Sequence, residues 1–320
     1  MHGFLLIRSH LLFKSRVFWL SPYESEYLCI IAQMTEVVMS YEALMITAYI
    51  IVAMLHIAGL VLLFKARNNL PNQRLLTKNL AVAEIVHCLS RAIKFSLSWK
   101  LESTFGLLLN VFFNILSLTV VRLSMLHIII DRFIEIYSNI KYPLFMTYKR
   151  LLALIATNWS LSVLIAIIDT ALEAATKSLL IYRVNCVLLL VLDLTILISA
   201  ITTYIYFYNK AYSIRRLEVN SLGQPAESRL NLLRQKFKQP CYIVMTYIYF
   251  NLTGTMLVIT SDYVQNVRKS RILFTSFEVL LIVGLTSDAI IYVFANKNVY
   301  RLLCSIFRKQ RSSRVGDIEL

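Results

Sequence analysis

Seven windows of this chain are mostly apolar over about 20 residues or more, the length an α-helix needs to cross the hydrocarbon core of a bilayer. They cover residues 43–64, 75–98, 104–130, 151–172, 182–208, 241–260 and 272–296. Lipid offers no hydrogen bonds to the backbone, so runs of this kind are stable there as helices. The expected fold is therefore all-α: a seven-transmembrane-helix bundle over 43–296, an N-terminal segment 1–42, and a short amphipathic helix and tail over 297–320. Composition supports this. Apolar residues make up 58% and charged ones 16%, whereas soluble domains run near ~45–50% and ~25%. One soluble core of this size cannot bury so much apolar surface.

The charge is uneven, with 33 Lys and Arg against 18 Asp and Glu. Seven spans put the termini on opposite sides, and alternate connections can then be compared by their basic residues. Those flanking the inner ends hold 21, those flanking the outer ends hold 11, and Arg122 lies within the third window. The positive-inside rule thus expects an outer N-terminus, a cytoplasmic C-terminus and a multi-pass protein of the plasma membrane. Basic residues interleaved with apolar runs suit a lipid surface and not nucleic acid. Residues 1–42 carry Arg8, Lys14 and Arg16 among apolar residues, consistent with an extracellular interfacial helix or with an extension ahead of Met34 or Met39. The five Cys form no C-x-x-C pair, so a metal site is not expected. No cofactor is called for, and the chain is not read as an enzyme.

Four motifs fall at corresponding places in the windows. Asn79-Leu80-Ala81-Val82-Ala83-Glu84 lies in the second; Asp131-Arg132-Phe133 ends the third and is followed by Pro143-Leu144. Trp159 is central in the fourth, and Asp288-Ala289-Ile290-Ile291-Tyr292 lies toward the inner end of the seventh. In order and spacing these resemble the rhodopsin-like G-protein-coupled receptors, with N-L-A-x-A-D, D-R-Y, a central Trp and N-P-x-x-Y. The resemblance covers about residues 43–310 and marks the chain as a divergent, orphan member.

The resemblance implies a partner, a heterotrimeric G protein, and an unknown extracellular ligand. It also implies a switch: Arg132 leaves Asp131 on activation, with Tyr204 and Tyr292 swinging in beside it. Physical chemistry agrees on the pair, because an unpaired guanidinium at the end of an apolar helix is costly. Glu84 and Asp288 form an intramembrane polar site in which two carboxyls are expected to share one proton. The family's sodium site is not expected, since its supporting positions are Ala58, Val121 and Gly284. Arg122, deep in the third window, needs a counter-charge costing otherwise at least ~2.5–3.5 kcal/mol, and Asp193 is its expected partner.

Candidates for the ligand pocket are His87, Asn110, Asn114 and Glu278, with Arg91, Lys94, Asp169, Glu173 and Asn185 as further polar residues of the outer halves. Asn114 stands where amine receptors carry Asp, which disfavours an amine. Cys304 is a palmitoylation candidate. Departures from the family are plain: Leu107 replaces the disulfide Cys, leaving Cys186 to pair with Cys29 or stay reduced. The sixth window has no Pro, and Gly254 is the expected source of flexibility. Two other readings stay open: a seven-span transporter or channel whose route is lined by the buried charges, and a signalling-deficient receptor-like protein.

Overall fold

A computed structural model describes residues 22–65, 71–97, 104–138, 141–176, 179–220, 240–263, 267–294, 299–302 and 304–305, with side chains over a somewhat narrower set. Nearly all of them are helical. The elements are α1 (Pro22–Lys65), α2 (Pro71–Leu97), α3 (Thr104–Ser138), α4 (Tyr142–Phe145), α5 (Tyr148–Thr176) and α6 (Leu179–Asn220). They continue with α7 (240–247), a π-helical turn (Ile248–Leu252), α8 (Thr253–Tyr263) and α9 (Val267–Phe294).

Six helical stretches are long and apolar enough to cross a membrane: Ser40–Lys65, Phe105–Ser138, Tyr148–Ala175, Val184–Ser213, Pro240–Thr260 and Ile272–Phe294. The protein is thus a helical, multi-pass membrane protein. The expected second span, α2, falls outside these six. It carries Arg74, Lys78, Glu84, Arg91 and Lys94, too many charges for a lipid-facing helix. Packing explains how it tolerates two of them: Glu84 and Arg91 are buried against neighbouring helices with Leu80, Ala81, Ala83, His87 and Cys88, while Val82, Leu89 and Ile93 form the exposed side.

Neighbour relations close a ring: α1 packs on α2, α2 on α3, α3 on α5, α5 on α6, α6 on the π turn and α8, and α8 on α9, which returns to α1. The helix α3 also touches α6, which makes it the central column. Of its most apolar stretch 56% is buried, against 11% for the equivalent stretch of α6. The mainly apolar exposed faces of α5 and α6, with Leu164, Ile168, Leu188, Ile198 and Ile205, are what a lipid contact requires.

Two core clusters fill the ring. The larger joins Leu63, Leu80, Val120, Met125, Ile129, Ile196, Ile243, Tyr247 and Tyr292, and the smaller joins Met45, Tyr49, Cys88, Phe95, Leu281 and Leu285. In the sixth expected span the π turn supplies the irregularity that the missing Pro would have given. Gly254, just after it, serves close approach instead of flexibility: a Cβ there would lie 2.9 Å from the Phe277 ring. Past the last window, residues 299–302 and 304–305 are helical and Cys304 is exposed; the rest of 297–320 lies outside the described residues. So does the Cys29 side chain, the proposed partner of Cys186.

Candidate functional site

Apolar helices bury charge only where neighbours satisfy it, so buried ionisable groups locate the chemistry of this molecule. They collect at three levels along the inner face of the bundle and in a further cluster around Glu278.

At the end of α3, Arg132 is paired with both Asp131 and Glu135. Tyr142, the first residue of α4, donates its hydroxyl to Asp131 Oδ1 at 2.6 Å. Burial, reinforced by the Asp131 carboxylate, pushes the Tyr142 phenol well above its ordinary range, which keeps it a donor. One guanidinium therefore faces two acids. Glu135 and Tyr142 were not among the expected switch residues, although Tyr142 directly precedes the Pro143-Leu144 pair and Glu135 follows Arg132 at helical i,i+3 spacing.

Tyr204 makes no hydrogen bond to Arg132, but both line one crevice of about 190 Å³ between α3, α6 and α7. Its other walls are apolar and include Ile129, Ala200, Val244 and Ile248. Tyr292 is elsewhere. Its hydroxyl donates to Glu84 Oε2 at 2.5 Å, one level deeper in the bundle.

That middle level holds Glu84, Asp288, His56 and Thr246. His56 Nδ1 lies 3.2 Å from Glu84 Oε2, and Thr246 donates to Asp288 Oδ1 at 2.6 Å. Glu84 and Asp288 face the same enclosed space, about 10 Å³, together with His87 and Arg122. A lone His in the first window was the available signal for His56, and it was not singled out. The nearby Asn79 bridges Ser124 at 2.9 Å and accepts from the Trp159 indole at 2.9 Å. The motif of the second window thus touches two of the other three, through Asn79 with Trp159 and Glu84 with Tyr292.

The third level is the pair Arg122–Asp193. Arg122 Nε and Nη2 donate to the two Asp193 oxygens at 2.9 and 3.0 Å, a bidentate arrangement. Tyr247 and Thr255 donate to the same carboxylate at 2.9 and 2.8 Å. Hydroxyls from two further elements thus complete a knot joining α3, α6, α7 and α8.

Of the pocket candidates, His87 and Asn114 meet at Ser117. His87 bonds Ser117 at 2.9 Å, and the Asn114 carbonyl accepts from Ser117 at 3.0 Å. Asn110 is half-buried on α3. Glu278 lies apart from them, fully buried among Tyr49, Arg91 and Lys94. Among the described residues no group of His, Cys, Asp and Glu could hold a metal ion. No family model matches the chain, and no curated protein matches it.

Proposed function

We propose that the chain is a divergent seven-helix receptor of the plasma membrane that converts binding of an extracellular ligand into nucleotide exchange on a heterotrimeric G protein. The observation carrying this reading is the latch at the end of α3. Arg132 is buried between Asp131 and Glu135, Asp131 is held by Tyr142, and an apolar crevice opens beside the guanidinium. A cation restrained by local acids beside unfilled space has a second arrangement available to it. A ligand shifts the balance between the two only by binding one of them more tightly.

In this reading α2 is the second of seven spans, the one added to the six apolar helices, with Glu84, His87 and Arg91 turned inward and Val82 and Leu89 outward. The N-terminus lies outside, and the basic inner connections with the segment after residue 297 form the docking face toward lipid and the G protein. The protein is not an enzyme and uses no cofactor. The test compares basal second-messenger output across a panel of G proteins for wild type, Arg132→Ala and the latch-weakened Asp131→Asn. Asp131→Asn is expected to raise output and Arg132→Ala to abolish it. Equal background output from all three would refute the receptor reading.

A channel or transporter is the second reading, favoured by the small enclosed space shared by Glu84, Arg122 and Asp288. Conductance in bilayers containing the purified chain and no G protein would establish it.

A further inference from the structure

A fourth charged cluster, in the outer half of the bundle, is left unused by the latch. Arg91 and Lys94 sit one turn apart on α2, and both reach Glu278 on α9. Arg91 Nη1 lies 3.1 Å and Lys94 Nζ 3.7 Å from the same oxygen, Oε1. Tyr49 on α1 donates to the other oxygen at 2.5 Å. Glu278, buried without exposure, is therefore served by three donors, while the cations outnumber it two to one.

The surplus has a defined position. Arg91 is 3% exposed, and its Nε has no hydrogen-bond partner among the described residues. Glu42, farther along α1, forms no ion pair with either cation there, and Arg122 and His87 are engaged with Asp193 and Ser117. Lys94 is the accessible member, its side chain 28% exposed. Aromatic rings wall the cluster: Phe277 lies 5.4 Å from the Arg91 guanidinium, and Phe274 and Phe95 lie 4.9 and 5.9 Å from Lys94 Nζ. Cation–π contact offsets part of the cost of buried positive charge, and an anion offsets the rest.

We infer that Arg91 and Lys94 form a recognition site for an organic carboxylate carried on an aromatic or apolar body. The guanidinium edge that includes Nε presents parallel donors, the geometry a planar carboxylate fills. Lys94 supplies the second charge, and Phe95, Phe274 and Phe277 receive the body. As the ligand class of the receptor, this rests on the reading above; as a binding site, it does not.

The experiment measures thermal unfolding of the purified full chain in detergent against phenyl-alkyl carboxylates with one to four methylenes, beside their matched alcohols and amines. A site-bound carboxylate raises the midpoint with concentration, while the alcohol and amine do not. Lys94→Gln keeps the Arg91–Glu278 pair and is expected to weaken the apparent affinity at least tenfold; Arg91→Gln is expected to abolish it. Should Arg91→Gln fail to fold, Lys94→Gln still decides. No stabilisation by any carboxylate, equal stabilisation by the alcohols, or an undiminished effect in Lys94→Gln would overturn the site. Stabilisation with no change in second-messenger output would uphold the site and count against the receptor reading alone.

Discussion

Arg122 and Arg132 lie on the same face-lining helix, are both about 4% exposed, and are both paired, yet they are built differently. Besides a bond to the Leu118 carbonyl of its own helix, Arg122 draws its acid from another helix: Asp193 on α6, with Thr255 on α8 and Tyr247 on α7 sharing it. Arg132 draws its two acids from its own helix, and Tyr142, eleven residues beyond Asp131, ties Asp131 to the next element. A pair between helices cannot open without unpacking them. A pair within one helix can open while the bundle stands, so the first suits a fastener and the second a latch.

Mutation can break this contrast. The largest effect is expected at the fastener: Asp193→Ala leaves a guanidinium unpaired in the interior and should cost about 3–5 kcal/mol, read as lost surface expression and a lowered unfolding midpoint. The exchange Arg122→Asp with Asp193→Arg should recover much of that loss. A double variant no better than either single would mean the interhelical pair contributes nothing specific. Packing at the same depth is expected to be nearly as intolerant. A Cβ at Gly284 would stand 2.8 Å from Phe250 Cβ, so Gly284→Ala should cost about 1–3 kcal/mol, whereas Gly59→Ala, with 3.8 Å to Tyr292, should be close to neutral.

The latch should respond in signalling more than in stability. Asp131→Asn is expected to lower stability by only about 1.5 kcal/mol, because Glu135 still holds Arg132, while basal output rises. A loss as large as that of Asp193→Ala would erase the distinction between the two arginines. The smallest change is Tyr142→Phe, about 1 kcal/mol from the lost bond to Asp131. It carries a pH signature. With the folded phenol held above its ordinary value, its contribution is fully present below pH ~10 and fades as pH rises above that, where the unfolded chain ionises first. Wild type should therefore lose stability above pH ~10 more steeply than Tyr142→Phe, as measured by thermal melts at stepped pH.

What could be read from residues alone follows the range of the interaction. Asp131 and Arg132 are adjacent, so their pairing needs no fold. Arg122 with Asp193 was readable too, because the cost of a lone buried cation demands a partner and few acids are at hand. Tyr292 was not readable in the same way. Its helix position puts it near the inner end, but only the packing of α9 against α1 and α2 brings its hydroxyl to Glu84, with His56 beside them. Glu278 shows the same limit. Depth along the helices groups it with His87, Arg91, Lys94, Asn110 and Asn114, and only the rotation of each helix selects Arg91 and Lys94 as its partners.

By itself the sequence determined the helical, membrane-embedded character, since runs of apolar residues and the backbone's need for internal hydrogen bonds leave little else. It also marked which charges had to be buried. The tertiary structure decided how α2, too charged to face lipid, is accommodated by enclosure, and which buried groups meet. Those meetings depend on the rotation and depth of each helix against its neighbours. Packing of whole surfaces sets these, and no local pattern encodes them.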